Sequence, residues 1–208
     1  MSRTEYYEDL KRLAREVRAE NGLTTPKVGR ADMRRLYSKY GIDDVDLKPL
    51  GNIRGAYFND ADGVSILLNS TLPDDPFIFT MGHELKHHLK DQQTPASLCV
   101  DKSNEVVEIG AEIFAAELIF PEGDFAAWLT SRGVNAGRCT PEIIVQMKHE
   151  TRTTLSYSAL AKRAAFLKFT PNEFKTVRWI ALAEKMYGVP IYKKIQAMRR
   201  RQIGFGRV

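Results

Sequence analysis

The spacing of apolar residues predicts a helical start to the chain. Four apolar positions near the N-terminus recur at helical intervals: Leu10, Leu13, Ala14 and Val17. This period predicts a first helix over about residues 4–20. The stretch TTPKVG interrupts the pattern, and ADMRRLYSKYG predicts a second helix that is closed by Gly41.

Two β-rich segments follow the second predicted helix. IRGAYFND and VSILLNS flank the turn signal ADG, which predicts a β-hairpin. The segment VSILLN is also expected to offer a free edge on which an extended peptide adds as a further strand.

The next two predicted helices carry most of the candidate chemistry. In PDDP, Asp75 is expected to cap a helix whose first residue is Pro76 and which contains FIFTMGHELKHHLK. The loop DQQTPASLCVDKSN then leads to a helix over EVVEIGAEIFAAELIF, stopped by Pro121.

Four later segments also have helical patterns: DFAAWLTSRG, PEIIVQMKHET, LSYSALAKRAAFLKF and NEFKTVRWIALAEKMYG. A mostly helical chain with one small sheet or hairpin is typical of the α+β class. The sequence therefore predicts an α+β fold.

Charge is unevenly distributed over the 208 residues, whose net formal charge is +5. Residues 1–140 hold 17 Lys and Arg against 22 Asp and Glu, whereas residues 141–208 hold 14 against 4. A C-terminal third with a net charge of +10 indicates an acidic protein surface or nucleic acid as its partner. A solvated face that aids solubility is the alternative.

The sequence predicts a cytoplasmic protein without membrane contact. No apolar run approaches the ~18 residues of a membrane span, and the N-terminus lacks the apolar centre of a signal peptide. Cys99 and Cys139 are far apart and have no cysteine or histidine beside them, so buried free thiols are expected rather than a disulfide.

The stretch HELKHHLK, residues 83–90, holds three of the four histidines. His83 and His87 are four positions apart and share one helix face, so both imidazoles can reach one metal ion. His88 is five positions from His83 and is not expected to be a ligand. Glu84 can accept a proton from the attacking water and pass it to the leaving amine, as in the HExxH pattern. A histidine pair on a solvated helix face is the alternative.

A catalytic zinc ion needs a third protein ligand and keeps its fourth position open. No histidine follows at the spacing HExxHxxGxxH. The apolar helix over EVVEIGAEIFAAELIF offers acids instead, of which Glu108 and Glu112 share a face and are costly to bury unless bound. Salt bridges at a helix surface explain Glu105 and Glu117 better.

These residues resemble the ImmA/IrrE metallopeptidases, whose pattern includes FT-x-x-HE-x-x-H followed by E-x-x-A-[N/D]-x-FA-x-x-L-x-x-P. FTMGHELKH and EIGAEIFAAELIFP match it over a resemblance that spans about residues 30–170. The resemblance implies a zincin-like, gluzincin-like zinc peptidase with Zn²⁺ on His83, His87 and Glu108, and Glu84 as the base.

Two departures from the family pattern have expected consequences. Lys86 replaces a small residue, usually Gly, and is expected to influence the substrate's charge preference. Glu112 replaces an Asn or Asp that hydrogen-bonds a metal ligand, so Glu112 is expected in that supporting role. An exchange of roles between Glu112 and Glu108 is the alternative. Tyr57 and Arg54 are candidates for stabilising the oxyanion.

The resemblance also divides the chain into a metallopeptidase domain over residues 1–125 and a helical, basic region over residues 126–208. Residues 141–169 resemble a helix-turn-helix, with an expected core that comprises Leu155, Leu160, Ala161, Ala164 and Leu167. The family implies limited proteolysis of a helix-turn-helix repressor in a stress response or mobile element. A DNA-binding regulator or toxin–antitoxin component with a non-catalytic zinc site is the alternative, with DNA contact through the basic tail.

Overall fold

The computed structural model describes residues 2–42, 44–60, 63–92, 96–98, 105–190 and 193. The strands are β1 (Asp44–Lys48), β2 (Gly55–Asp60), β3 (Gly63–Asn69) and β4 (Ala96–Leu98). The helices are α1 (Arg3–Glu20), α2 (Arg30–Lys39), α3 (Asp74–Lys90), α4 (Glu105–Ile119), α5 (Glu122–Thr130), α6 (Pro141–Thr151), α7 (Tyr157–Phe166) and α8 (Trp179–Tyr187). The predicted α+β class is confirmed.

The strands form one mixed sheet in the order β1-β3-β2-β4. The predicted hairpin is present, since β2 and β3 are antiparallel and Asp60 pairs with Gly63 across the turn. β3 also pairs with β1 in parallel, from Ser65 to Asn69. The expected free edge on VSILLN was therefore wrong, because strands already flank β3 on both sides.

Strand β4 is an edge of the sheet within the described residues, and it pairs antiparallel with Ala56–Phe58 of β2. Neither β1 nor β4 was predicted. β1 has the sequence DVDLK, in which charged residues alternate with apolar ones over only five positions. So short a segment becomes a strand through pairing with β3 rather than through its own propensity.

Helix α3 begins earlier than expected. Its first residue is Asp74. The N-capping residue is Pro73, whose φ of −58° and ψ of 162° are not helical. Asp75 and Pro76 therefore lie inside the first turn, where backbone N–H groups need no partner within the helix. The acids at positions 74 and 75 still favour the positive end of the helix dipole.

Close packing fixes α4 against its neighbours. A Cβ added to Gly82 of α3 would lie 3.2 Å from the Cβ of Ala115 in α4. A Cβ added to Gly110 of α4 would lie 2.8 Å from the Leu10 side chain of α1. Larger residues at these two glycines would separate the helices, so both glycines determine where α4 places its acids.

The C-terminal helices pack on the rest of the protein through a shared hydrophobic core. Core residues on the C-terminal side, such as Ile144 and Leu160, belong to the same cluster as Leu36 and Phe114. Polar contacts cross as well: the Thr154 hydroxyl donates to the carbonyl of residue 28, and the Arg163 guanidinium donates to the carbonyl of residue 120. The expected boundary at 125/126 falls within α5.

One further segment differs from the sequence-based expectation. The residues NEFKTVR are not helical, and α8 begins only at Trp179. Phe174 has a φ of +52°, a left-handed conformation that a helix does not contain.

Cys139 is a buried thiol whose pKa is raised to about 11 by burial, whereas Cys99 lies outside the described residues.

Among the described helices, none combines the length and the apolarity that a membrane crossing requires.

Candidate metal centre

Three side chains from α3 and α4 converge on one point. His83 Nε2 lies 3.2 Å from His87 Nε2 and 3.2 Å from Glu108 Oε2, and His87 Nε2 lies 3.5 Å from Glu108 Oε1. Among the residues that the structure describes, this is the one cluster of at least three histidines, cysteines or acids that is close enough to hold a metal ion.

The separations fit a tetrahedral zinc site. Ligand atoms that are each about 2.0–2.2 Å from a tetrahedral zinc ion are roughly 3.3–3.6 Å apart. The two Nε2 atoms are 3.2 Å apart, and they lie 3.2 and 3.5 Å from the Oε2 and Oε1 atoms of Glu108, which is close to this spacing. Two imidazoles and one carboxylate also form a donor set that zinc peptidases use. His83, His87 and Glu108 can therefore hold zinc with little movement.

The centre is open to solvent on one side. The side chain of His87 is fully buried, that of His83 is 11% exposed and that of Glu108 is 25% exposed. A catalytic zinc site leaves one coordination position for water or substrate, whereas a structural site closes it with a fourth protein ligand. These exposed fractions therefore favour the approach of water or substrate to the metal position from the side of His83 and Glu108.

Asp91 orients His87. The Asp91 carboxylate lies 2.7 Å from His87 Nδ1, and because a carboxylate accepts, Nδ1 carries the proton and Nε2 presents a lone pair to the metal position. Burial alone would raise the pKa of Asp91, but hydrogen bonds from His87 and Lys86 outweigh burial and hold the pKa below its usual value. Asp91 is thus ionised when His87 acts as a ligand.

Glu108 lies in the first turn of α4, facing the histidines. Its half-buried position would raise the pKa of the carboxyl, but the hydrogen bond with His83 and the nearby positive charges outweigh burial and lower the pKa. An ionised carboxylate is the form that binds a metal ion.

Glu84 lies between the two histidines in sequence and is fully buried. A Cβ added to Gly55 of β2 would lie 2.7 Å from Glu84 Oε1 and 2.6 Å from Thr80 Cγ2. The absence of a side chain at position 55 therefore provides the space that the Glu84 carboxylate occupies. This contact joins the hairpin to the helix that carries the histidines.

Lys86 does not face a substrate. Its side chain is fully buried, and Nζ lies 2.7 Å from Asp91 Oδ2 and 3.1 Å from the carbonyl oxygen of Val107. This buried position does not support the expectation that Lys86 influences the substrate's charge preference, because its ammonium has no contact with solvent.

Tyr57 and His88 form a structural link. His88 Nε2 donates to the Tyr40 carbonyl over 2.9 Å, so Nδ1 is left to accept from the Tyr57 hydroxyl at 3.4 Å. Tyr57 is fully buried, and burial followed by the charge of Asp91 raises its phenol pKa. Its hydroxyl is committed to His88, which does not support the oxyanion role expected for Tyr57.

The two remaining candidates lie at the surface. Arg54 is exposed immediately before Gly55, and its backbone carbonyl accepts from the N–H of Asn69. The side chain of Glu112 is 54% exposed and its carboxylate lies 3.6 Å from Lys162 Nζ. Asp91, which contacts His87, is therefore better placed to support a ligand than Glu112, whose ion pair is with Lys162.

Sequence reasoning missed Asp91 and Gly55. Asp91 carried a usable signal, because it follows His87 by four positions and such pairs meet on a helix. Gly55 carried no such signal in the sequence, because its contact with Glu84 joins residues that are 29 positions apart. Glu117 makes the expected ion pairs, with Arg15 and Arg163, but its side chain is buried rather than at a helix surface, so that part of the expectation was wrong.

A helix with two histidines one turn apart, a glutamate beside the first and a carboxylate from the next helix defines a metallopeptidase-type site. The comparison with protein families agrees: the IrrE N-terminal-like domain family, Peptidase_M78, matches residues 39–165. This match covers more than half of the chain, so the protein belongs to that family, which confirms the resemblance in the sequence. A comparison with curated proteins gave no match.

Proposed function

We propose that the protein is a zinc-dependent endopeptidase. The observation that carries the proposal is the convergence of His83, His87 and Glu108, whose imidazole nitrogens are 3.2 Å apart and lie 3.2 and 3.5 Å from the two Glu108 oxygens. Glu84, the buried acid that follows His83 in the sequence, supplies the candidate base. Membership of a metallopeptidase family supports it, and so does the partial exposure of the ligand cluster, which leaves a position for substrate.

Zinc, when bound, supplies a Lewis acid that polarises the scissile carbonyl and lowers the pKa of water. The chain's own residues supply the rest. Glu84 accepts the proton of the attacking water and later donates it to the departing nitrogen. Asp91 keeps the His87 imidazole in one tautomer and orientation. Arg54 is the candidate donor to the oxyanion, as an exposed cation beside Gly55.

We place the substrate on strand β4. This strand is an edge of the sheet within the described residues, and it pairs with β2, whose first residue contacts Glu84. An extended peptide added to such an edge gains main-chain hydrogen bonds and approaches the catalytic helix. We propose that the substrate is a protein, a helix-turn-helix repressor of a stress response or mobile element, which the enzyme cleaves at one site.

The charge of the C-terminal third favours a second candidate, a DNA-binding regulator with a non-catalytic zinc site. Residues 141–208 carry a net charge of +10, and α6 and α7 are joined by a five-residue link as in a helix-turn-helix. However, Trp179 stacks on Tyr157 with 5.7 Å between ring centroids. Tyr157 opens α7, and the start of this second helix is the part that contacts bases in helix-turn-helix proteins. We therefore favour the peptidase.

The test compares wild type with Glu84→Gln and His83→Ala. The amide of Glu84→Gln matches the carboxylate in shape but cannot accept the proton, so zinc should stay bound while cleavage falls by ~10²–10⁴-fold. His83→Ala should lose most of the zinc. Both variants are incubated with repressors encoded beside the gene, and products are identified by mass spectrometry. Cleavage by Glu84→Gln at nearly the wild-type rate would exclude the mechanism.

A further inference from the structure

A fully buried lysine lies between the two helices that carry the candidate metal ligands. Lys86 belongs to α3, and its side chain has no exposed surface. Lysines are almost never fully buried unless they are paired, because removing an ammonium group from water is costly. The position of Lys86 therefore requires compensation by specific partners.

Each of the two hydrogen-bonding partners of Lys86 is linked to a different metal ligand. Asp91 Oδ2, 2.7 Å from Nζ, also accepts the hydrogen bond from His87 Nδ1. The Val107 carbonyl, 3.1 Å from Nζ, belongs to the residue immediately before Glu108 in α4. The ammonium group thus contacts the support of one ligand and the backbone beside another. The ring of Tyr6 in α1 lies 5.8 Å from the same nitrogen.

The geometry leads us to propose that Lys86 is a positioning residue that fixes α3 and α4 at the separation the metal requires. This inference rests on the proposed zinc site and assigns Lys86 a specific part in it. Two imidazoles on one helix keep their mutual distance without help, because the helix sets it. Glu108 comes from another helix, so its distance to the histidines depends on how α4 is held against α3.

Lys86 connects α3 to α4 at the level of the third ligand, Glu108. The contact at Val107 acts on the first turn of α4, next to the ligand itself, whereas the glycine contact between Gly82 and Ala115 lies two turns further along α4. A change at Lys86 should therefore alter the third ligand and the orientation of His87 while the remaining helix packing persists.

The experiment compares Lys86→Met with Lys162→Met. Methionine keeps the unbranched shape of lysine but removes the charge and the donor hydrogens. Lys162 is a matched control, since it also pairs with a residue of α4, Glu112, but at the exposed surface. Zinc affinity is measured by competition with a chromophoric chelator, and the visible absorption spectrum is recorded with Co²⁺ in place of zinc.

Lys86→Met should weaken zinc binding by about 10–100-fold, the usual effect of losing a group that supports a ligand. It should also change the Co²⁺ spectrum, which reports ligand geometry and is insensitive to stability alone. Lys162→Met should match wild type in both measurements. Unchanged zinc affinity and an unchanged Co²⁺ spectrum in Lys86→Met would overturn the proposal, even if its thermal unfolding changed.

If Lys86→Met does not fold, Lys86→Gln replaces it, because a glutamine amide fits the site and donates hydrogen bonds without the charge or the full reach of lysine. The same weakened affinity and altered spectrum then support the proposal, and wild-type values overturn it. Failure of the wild-type chain to bind zinc would contradict the proposed function itself, and the proposal for Lys86 with it.

Discussion

His87 Nδ1 donates a 2.7 Å hydrogen bond to the carboxylate of Asp91, the residue that caps the C-terminal end of α3. The bond decides which imidazole nitrogen faces His83 and Glu108, and it holds the ring in that orientation.

Asp91→Asn should weaken zinc binding by about 10–100-fold, because an amide supports the His87 tautomer less strongly than a carboxylate does. The measurement is competition with a chelator at fixed pH. Asp74→Asn is the control, since Asp74 lies at the opposite end of α3 with its side chain 75% exposed. Equal zinc affinity in Asp91→Asn and wild type would show that Asp91 does not support the ligand.

Gly55→Ala should separate metal binding from catalysis. The added methyl group would lie 2.7 Å from Glu84 Oε1, so the carboxylate or the strand must move. A displacement of about 1 Å at a reacting group can reduce the rate by ~10²-fold. We therefore expect cleavage to fall by about that factor while the zinc content stays at the wild-type level.

The control for Gly55→Ala is Gly123→Ala. A Cβ at Gly123 meets no atom within 4 Å, and its backbone is not in the left-handed region. This variant should cleave at the wild-type rate. Wild-type activity in Gly55→Ala as well would mean that Glu84 tolerates the added methyl group.

Acid should destabilise the zinc-free protein partly through Asp91. The folded state holds the pKa of Asp91 below its unfolded value of about 3.9. A lowered folded pKa stabilises the protein above the unfolded value, and this contribution disappears as the pH falls through the folded pKa. In chelator, unfolding by urea should therefore become less pH-dependent below about pH 4 in Asp91→Asn than in wild type. Parallel pH profiles for the two proteins would contradict the assignment.

The basic end of the chain provides the fourth prediction. Its cationic residues from position 193 onward are Lys193, Lys194, Arg199, Arg200, Arg201 and Arg207, without an acid among them. If this segment docks the protein substrate, deletion of residues 193–208 should slow cleavage of the protein but spare a short peptide that contains the scissile bond. Rates on the two substrates are compared for the truncated and full-length chains.

DNA binding by the same segment gives a different result. Truncation would then leave cleavage of free repressor intact and abolish retardation of duplex DNA, whose binding should weaken steeply with salt. We expect the docking result. Unchanged cleavage of the repressor after truncation would overturn that expectation.

The sequence by itself determined the local part of the metal centre. His83, Glu84 and His87 lie within five positions, so helix geometry alone places the two imidazoles on one face. The apolar pattern around Glu108 also predicted a buried helix with an acid on it. The resemblance to the family then selected Glu108 over Glu112, and the structure places Glu108 rather than Glu112 at the histidines.

Only the tertiary structure decided how distant parts of the chain complete the centre. Gly55 meets Glu84, Lys86 meets Val107, and β1 pairs with β3, each across a separation that no helical or strand period encodes. Sequence patterns report which residues share a face of one element. Contacts between elements depend on how those faces pack. Here the packing buries Lys86, which the sequence suggested as an influence on substrate charge preference, between two helices.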